Sequence, residues 1–416
     1  MIFMIHAEKY FIKLCEIHHK NQRPSASKFF FICLCRKKEL HTLTERKRYL
    51  ETLLFGKPDK IPFQPGEPRE STLRVWHKQG LPERAQWDEY LREKLGIEPL
   101  PKDERFTIPF KYEMIPQFEE KIIEEKERTL IVQDWKGNIC EISREFDTTY
   151  LRFPKDFVTR RWVSCPVKNW NDWESMKARY NAQNPERIPE NIAELGKKLA
   201  ERNYVIGITF SGPFWQMREW LGAENLCMLF IDDSAMVKDM VKFWKDYITH
   251  LLERLLPYIT MDFVHISEDI AYKQHAMISP EMVRGFLQPC YRQWNEIIKS
   301  NHCPVYMMDS DGYIGELLPI WIESGINACD PVEVAAGNDI NEFRKAFGKK
   351  MAFLGGVDKR AIAKGSSTIR EEMARLEPVV ISGGFIPGCD HGVPSDVGWN
   401  EFLEYCEILA RLTGWK

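Results

Sequence analysis

The sequence has no apolar run long enough to cross a membrane. The run FFFICLC, at residues 29–35, falls well short of the roughly 20 apolar residues that a membrane-spanning helix needs. The order of a secretory signal is also missing, because the basic residues 36–38 follow this run instead of preceding it. We therefore expect no membrane partner.

A strong charge excess and a disulfide framework are missing too. The formal net charge is -3 over 416 residues, which argues against nucleic acid as a partner. The eleven cysteines are odd in number and lie mostly within apolar segments, a pattern typical of reduced thiols. The composition therefore predicts a cytoplasmic enzyme.

No Gly-x-Gly-x-x-Gly motif follows an early strand, which argues against a dinucleotide-binding fold. The sequence instead alternates short apolar runs with amphipathic helical stretches, as parallel sheets covered by helices do. Six such units and an N-terminal pair predict an α/β fold, the eight-stranded (β/α)8 barrel of the TIM type. The runs are YVIGITF (204–210), DFVHIS (262–267), PVYMM (304–308), GINACD (325–330), MAFLGG (351–356) and GGFIPG (383–388).

The N-terminal part divides into two regions. We expect residues 1–43 to be an extension with no role in the fold, the alternative being an interaction arm, and residues 44–416 to form the barrel domain. Thr44 is a candidate N-cap of a helix that Gly56 would end in a left-handed conformation, and IPFQP (61–65) is a predicted strand. Polar and apolar residues alternate through 119–142, which predicts an inserted β-hairpin.

Polar residues follow several of the apolar runs, where a barrel presents its catalytic groups. The acidic loop DSDG (309–312) and the loop GGFIPGCDHGVPSDV (383–397) both do so, which suggests a single site. Helix capping is the alternative reading for each carboxylate, since Asp is a good N-cap. The catalytic candidates are Glu268, Asp309, Asp311 and His391, and Asp390 is a candidate for substrate binding.

The same loops raise the possibility of a metal site. Zinc takes thiolate, imidazole and sometimes carboxylate ligands, so Cys389, Asp309 and Asp311 could hold it. A small buried hydrophobic residue is the alternative role for Cys389.

Two aromatic residues are candidates for binding an apolar ligand. Phe214 and Trp215 follow Gly212-Pro213 at the end of a predicted strand, where a flat ligand could pack against them. Core packing is the alternative role for this aromatic helix.

From about residue 44 to the end, the chain resembles the uroporphyrinogen decarboxylase superfamily. This superfamily includes porphyrin-pathway decarboxylases and cobalamin-linked methyltransferases, and the resemblance implies a barrel enzyme. The matching segments are ERKRYLETLLFGKPDKIP, CPVKNWNDWESMK, FSGPFWQMREWLGAENL, EDIAYKQHAMISPEMVRGFLQPCY, the DSDG loop, LGGVDKRAIAKG and GGFIPGCDHGVPSDV.

The methyltransferase branch implies a zinc site. Its His-x-Cys-Gly motif aligns with Asp309-x-Asp311-Gly312, and its further zinc cysteine aligns with Cys389. Two of the three ligands are thus aspartates here, which removes the soft thiolate pair that activates a thiol acceptor.

The decarboxylase branch implies arginines that bind substrate carboxylates. In place of its Met-Arg-Gln-Ala-Gly-Arg motif this chain has GEPRESTLRVWHKQG, with Arg69 and Arg74 in a different spacing. They could hold one carboxylate or form a helix-surface ion pair. The branch histidine of Asn-Leu-Gly-His-Gly-Val corresponds to His391.

Taken together, these features predict a methyltransferase that moves a one-carbon group between a small methylated molecule and a corrinoid, carried by a partner protein. In that mechanism His391, Asp309 and Asp311 bind substrate or metal and move protons, and Cys389 ligates the metal. Glu268 acts as an acid, as a base, or as a residue that supports the others from behind. The alternatives are a decarboxylase of a porphyrinogen or smaller carboxylate, and a barrel that binds a corrinoid or porphyrin without turnover.

Overall fold

The computed structural model describes residues 42–100, 106–153 and 155–416. The predicted extension of residues 1–43 therefore lies outside the described residues, except for its last two. Helix α1 (Glu45–Leu53) begins as expected, with the Thr44 side chain accepting a hydrogen bond from the amide of Lys47. The prediction for Gly56 is wrong, because Phe55 is the residue in the left-handed region, with φ 57°.

An antiparallel sheet of four strands precedes the main sheet. Helices α2 (Glu70–Lys78) and α3 (Trp87–Leu95) lead to β1 (Lys121–Glu125), β2 (Thr129–Gln133) and β3 (Ile139–Ser143), and α4 (Thr149–Arg152) leads to β4 (Arg160–Ser164). The strands pair in the order β1-β2-β3-β4. The predicted hairpin is present as β2 and β3, but it forms the middle of a larger sheet with a small core of its own.

The main sheet is parallel and contains six strands in the order β5 to β10. All six predicted runs contribute a strand. They are β5 (Gly207–Ser211), β6 (Phe263–Ser267), β7 (Val305–Asp309), β8 (Ala328–Asp330), β9 (Ala352–Val357) and β10 (Phe385–Cys389).

Helices connect and cover these strands. Before β5 lie α5 (Trp170–Lys177) and α6 (Ile192–Leu199), and between β5 and β6 lie α7 (Pro213–Leu221), α8 (Ala223–Asp232) and α9 (Ser234–Leu255). A π-helical turn (Val283–Leu287) separates α10 (Pro280–Met282) from α11 (Gln288–Ser300). The remaining helices are α12 (Leu318–Glu323), α13 (Ile340–Phe347), α14 (Lys359–Lys364), α15 (Ser366–Ser382) and α16 (Trp399–Leu412). None of the helices in the described residues is long and apolar enough to span a membrane.

The parallel sheet is not closed into the predicted eight-stranded barrel. No strand in the described residues joins β10 to β5. The predicted strand IPFQP is extended backbone that lies along β10, where the amide of Cys389 donates to the carbonyl of Pro65 over 3.1 Å. Glycine is needed at Gly388 for this approach, because a Cβ there would lie 2.3 Å from the carbonyl oxygen of Gln64. The fold therefore has the strand–helix order of a TIM-type barrel with a gap at one edge.

The two faces of the parallel sheet have different environments. One face, which we call the inner face, packs its lower half against α1 in a small apolar cluster that includes Phe263, Met307, Tyr49 and Leu53. The opposite, outer face carries residues such as Ile266 and is buried under the helices. Since side chains alternate along a strand, Ser267 shares the inner face with Phe263, and the residue after it points outward.

Candidate active site at the carboxyl ends of the strands

Asp309 lies at the end of β7 on the inner face. The Ser267 hydroxyl donates to its Oδ2 over 2.6 Å, and Asp330 is its register partner on β8. Burial and the neighbouring charge of Asp330 raise the pKa of Asp309 to about 7. A carboxyl group of this kind is partly protonated at neutral pH, so it can supply a proton to a substrate.

A second polar layer lies one step deeper on the inner face. Nε2 of His265 is 3.0 Å from Oδ1 of Asp330, and its Nδ1 is 3.4 Å from the hydroxyl oxygen of Thr209. Burial opposes the imidazolium, but the charge and hydrogen bond of Asp330 outweigh it and raise the pKa of His265. His265 was missed from the sequence, although the pattern Phe263-x-His265-x-Ser267 puts a histidine on the inner face.

The two loops singled out in the sequence meet at this end of the sheet. Nε2 of His391 lies 3.1 Å from Oδ1 of Asp311, which is two residues beyond Asp309. Burial favours the neutral forms of both groups, yet their mutual hydrogen bond and charges lower the pKa of Asp311 and raise that of His391. Both shifts favour the charged forms, an imidazolium beside a carboxylate.

Arg218 and Asp269 complete the rim. Nη2 of Arg218 donates to Oδ2 of Asp269 over 2.8 Å, and its guanidinium lies 3.9 Å from the ring centre of Trp215. Burial raises the pKa of Asp269 although Arg218 opposes the shift, and the charges of Asp311 and His391 also act on it. Trp215 thus lies at the rim beside Arg218, and its role in substrate binding stays a prediction.

Glu268 faces outward, away from this rim. Its Oε2 accepts hydrogen bonds from the amides of Phe214 and Trp215 at the start of α7, over 3.1 and 3.2 Å, and the Tyr291 hydroxyl donates to its Oε1. Burial raises the pKa of Glu268 to about 7 in spite of these bonds. In the structure Glu268 therefore holds α7, which is the supporting role among those predicted for it, and its role as an acid or base stays a prediction.

Phe214 is also directed into the helix layer. It is fully buried and stacks on Phe230 with ring centres 6.4 Å apart. The alternative reading of core packing therefore holds for Phe214, and the structure does not place it at the rim.

Asp390 ties the loops of the rim together from below. It is completely buried, and its oxygens accept from the amides of Val334 and Lys359 over 2.9 and 3.4 Å. The Lys359 ammonium lies 3.9 Å from Asp390 and 3.6 Å from Glu333. Because these partners occupy Asp390, it positions the loops and does not face a substrate, contrary to the prediction.

The two predicted carboxylate-binding arginines have different surroundings. Arg69 lies against the His391 loop, since a Cβ on Gly392 would be 3.5 Å from its Nε, and within the described residues its guanidinium has an aromatic contact with Phe157 but no hydrogen bond or ion pair. Arg74 is 62% exposed and pairs with Asp156 over 3.4 Å. Arg74 therefore forms the helix-surface ion pair, which was the alternative role predicted for it from the sequence.

The predicted zinc ligands are not assembled. Cys389 packs in the helix-covered core on the outer face of β10, whereas Asp309 lies on the inner face of the sheet. Among the described residues, no group of three or more His, Cys, Asp or Glu side chains is arranged to hold a metal ion. The residues present therefore do not fit the zinc site that the resemblance implied for Cys389, Asp309 and Asp311.

The fold and this rim define a class of protein: a parallel α/β protein with a polar site at the carboxyl ends of its strands. The model of the uroporphyrinogen decarboxylase (URO-D) family matches residues 160–408, from β4 into α16. The chain belongs to this family, as its sequence motifs indicated.

Solved structures with a similar fold include a methyltransferase from Methanosarcina mazei. It is 14% identical, has a TM-score of 0.52, and the match covers 89% of this chain and 98% of that one. A B12-independent methionine synthase from Shewanella sp. W3-18-1 matches at 12% identity over 54% of this chain and 65% of its own, with a TM-score of 0.35. A putative vitamin-B12 independent methionine synthase from Listeria monocytogenes matches at 13% identity over 55% and 69%, with a TM-score of 0.30. No curated protein matches the sequence.

Proposed function

We propose that this protein is a methyltransferase that moves a one-carbon group from a small methylated molecule to a corrinoid. The observation that carries the proposal is Asp309, a half-buried carboxyl at the rim, bonded to Ser267, whose pKa is raised to about 7. When a methyl group leaves an oxygen or nitrogen atom, the bonding electrons remain on that atom, and a proton must neutralise it. Asp309 has the position and the pKa to deliver that proton.

The other rim residues would bind and orient the donor. Trp215 offers a flat surface held by Arg218, and the His391–Asp311 pair offers charged hydrogen-bonding groups beside it. Asp309 then faces the heteroatom that loses its methyl group. The corrinoid is a co-substrate, presented by a partner protein, and it supplies the nucleophile that accepts the methyl group.

Two comparisons support a methyltransferase without establishing the reaction. The chain belongs to the uroporphyrinogen decarboxylase family, and the superfamily that its sequence resembles includes methyltransferases. Its fold is similar to that of the Methanosarcina mazei methyltransferase. No step is derived through zinc, since the residues do not fit it. Proton donation by Asp309 takes the place of metal activation in the proposed mechanism.

Decarboxylation of a carboxylate is the second candidate, and Arg69 favours it. Its guanidinium lies beside the His391 loop without a carboxylate partner in the described part of the chain, so it could bind a substrate carboxylate. Loss of CO2 leaves a carbanion, and Asp309 or His391 could return a proton to it.

A spectral titration with cob(I)alamin tests the proposal. Wild-type protein, with a panel of O-methyl and N-methyl donors, should convert cob(I)alamin to methylcobalamin, and Asp309→Asn should slow this conversion by roughly 100-fold or more. Arg74→Ala, which removes only a surface ion pair, serves as the matched control. Absence of transfer from every donor would contradict the proposal. Consumption of uroporphyrinogen would support the decarboxylase instead, and corrinoid binding without turnover would support a binding protein.

A further inference from the structure

We propose that His265 is a positioning residue for Asp309. By pairing with Asp330, its imidazolium keeps the Asp330 carboxyl ionised, so the proton that the two neighbouring carboxyl groups hold between them resides on Asp309. The inference rests on the proposed function, because it explains how the group that protonates the methyl donor keeps its own proton.

The two carboxyl groups lie side by side at the ends of adjacent strands. Asp309 ends β7, Asp330 ends β8, and the two residues are register partners in the parallel sheet. Partners of this kind point to the same face of the sheet, and neighbouring strands are about 4.8 Å apart. Two carboxylates at such a separation repel each other, which favours a state in which only one of them is ionised.

The two groups have different hydrogen-bond partners. Oδ1 of Asp330 lies 3.0 Å from Nε2 of His265, whereas Oδ2 of Asp309 accepts from the neutral Ser267 hydroxyl over 2.6 Å. A hydrogen bond from a cation stabilises a carboxylate more than a hydrogen bond from a neutral hydroxyl does. The negative charge of the pair therefore belongs on Asp330 and the proton on Asp309.

The surroundings of His265 favour its imidazolium form. Its second ring nitrogen, Nδ1, lies 3.4 Å from the Thr209 hydroxyl oxygen, so each of the two N–H groups of an imidazolium has an acceptor. Burial opposes the charged form, but Asp330 and Asp309 outweigh it and raise the pKa of His265.

Further titratable groups act on the pair from neighbouring segments. Burial is the largest cause of the raised pKa of Asp309, the charges of Asp330 and Asp311 add to it, and the charge of His265 opposes it. On α1, burial and the charge of Asp330 raise the pKa of Tyr49, so its hydroxyl stays neutral. His265 thus acts on Asp309 directly with one sign and through Asp330 with the other.

Replacing the imidazole with a neutral amide separates these two effects. In His265→Gln the pair loses a positive charge, so it should hold its proton to a higher pH, and part of the protein should carry that proton on Asp330. We therefore expect methyl transfer at about pH 6 to slow by roughly two- to tenfold, and the fall in rate with rising pH to move above that of the wild type. General damage to the site would lower the rate without moving this fall to higher pH.

NMR of the aspartate carboxyl carbons locates the proton without requiring turnover. In protein labelled at these carbons, Asp309→Asn and Asp330→Asn identify the two resonances. We expect the titration step at about pH 7 to belong to Asp309 in the wild type and to appear on both resonances in His265→Gln. The matched control is His250→Gln, which replaces an exposed histidine on α9 and should behave as the wild type does.

The outcomes separate the positioning role from the proposed function. A step near neutral pH on Asp330 in the wild type, or the same distribution of the step in the wild type and His265→Gln, would overturn the inference. Asp330→Asn gives a second test, since the pKa of His265 should fall without its partner and an unchanged value would also overturn the inference.

A step that spreads to Asp330 in His265→Gln would support the positioning role even if cob(I)alamin accepted no methyl group, a result that contradicts the proposed function alone. Methyl transfer by His265→Gln with the rate and pH profile of the wild type would overturn the positioning role and leave the methyltransferase standing.

Discussion

Asp309 combines burial with a close negative neighbour, so its ionisation is unfavourable in the folded protein. An aspartate in an unfolded chain titrates near pH 3.9, whereas Asp309 titrates at about 7. The folded state therefore binds an extra proton between these values, and the stability from protonated Asp309 is lost as the pH rises through about 7.

The first prediction concerns Asp309→Asn, which cannot ionise. The wild-type methyl-transfer rate should fall as the pH rises through about 7, and the slow residual rate of the variant should lack this dependence. The variant should also lose less stability than wild type between pH 5 and pH 8, as urea denaturation at roughly these two values would measure. A wild-type rate that is flat across this range would contradict the assignment of Asp309 as the acid.

The second prediction concerns the His391–Asp311 pair. The raised pKa of His391 makes its contribution complete below the ordinary value of 6.5 and lost as the pH rises through the raised value. The lowered pKa of Asp311 makes its contribution complete above the ordinary value of 3.8 and lost in more acidic solution. The pair therefore stabilises the folded protein most between the lowered pKa of Asp311 and the raised pKa of His391.

Removing the Asp311 carboxylate should change the pKa of His391. In Asp311→Asn the pKa of His391 should fall, because Asp311 contributes most to raising it. An NMR titration of the imidazole resonances measures this shift. The control is Asp358→Asn, which removes a carboxylate that pairs with the exposed Arg360. It should leave the pKa of His391 unchanged.

At the scale of elements, the position of α7 depends on Glu268. The helix carries Trp215 and Arg218 to the rim, and its first amides bond to the Glu268 carboxylate. Gly212 is needed where α7 begins, since a Cβ there would lie 1.9 Å from Oε2 of Glu268. A buried acid on the outer face thus controls residues on the rim.

The third prediction is that Glu268→Gln stabilises the protein at alkaline pH. Since the folded pKa of Glu268 is raised to about 7, its stabilising protonated form is lost as the pH rises through that value. Glutamine keeps the acceptor for the helix amides without a charge, so the variant should be more stable than wild type at about pH 8 by roughly 1–3 kcal/mol. Denaturation at about pH 5 is the comparison, where the difference should shrink.

The companion variant Gly212→Ala should have the opposite effect. Its methyl group would displace Glu268 and α7, so we expect a lower free energy of unfolding at all pH values and a weaker donor affinity. An unchanged Tm in Gly212→Ala would show that α7 does not depend on this contact.

For the whole molecule, residues 43–416 form one compact unit. Leu43 contributes to it, because its amide donates to Asp59 and its carbonyl accepts from Arg48. The fourth prediction is that a chain without residues 1–41 unfolds within about 2 °C of the full chain and transfers methyl groups at the same rate. Thermal unfolding and the cob(I)alamin titration check it, and a large loss of either property would show that the extension belongs to the domain.

The strands were more predictable than the sheet they form. A strand in a helix-covered sheet needs a continuous apolar run, so all six runs could be read locally. Closure of the sheet depends on contacts between distant segments, and IPFQP lies along β10 without the ladder of a strand. The expected eight-stranded barrel could therefore not be settled from the runs alone.

The site was predictable in part for the same reason. Asp309, Asp311 and His391 follow apolar runs, and Asp311 and His391 are in contact. Glu268 and Cys389 lie one residue away from the inner face and point into the helix layer. A shift of one residue reverses the face of a strand, so small errors in where a strand ends misplace a side chain.

The amino-acid sequence alone determined the apolar runs, the N-cap at Thr44 and the family, because these depend on neighbours in the chain and on motifs. Only the tertiary structure decided which carboxylates lie at the rim and which support helices. It also paired Asp311 with His391 and His265 with Asp330 across the sheet. The physical reason is that burial and charge act through space, so the pKa of Asp309 is set by a residue on another strand.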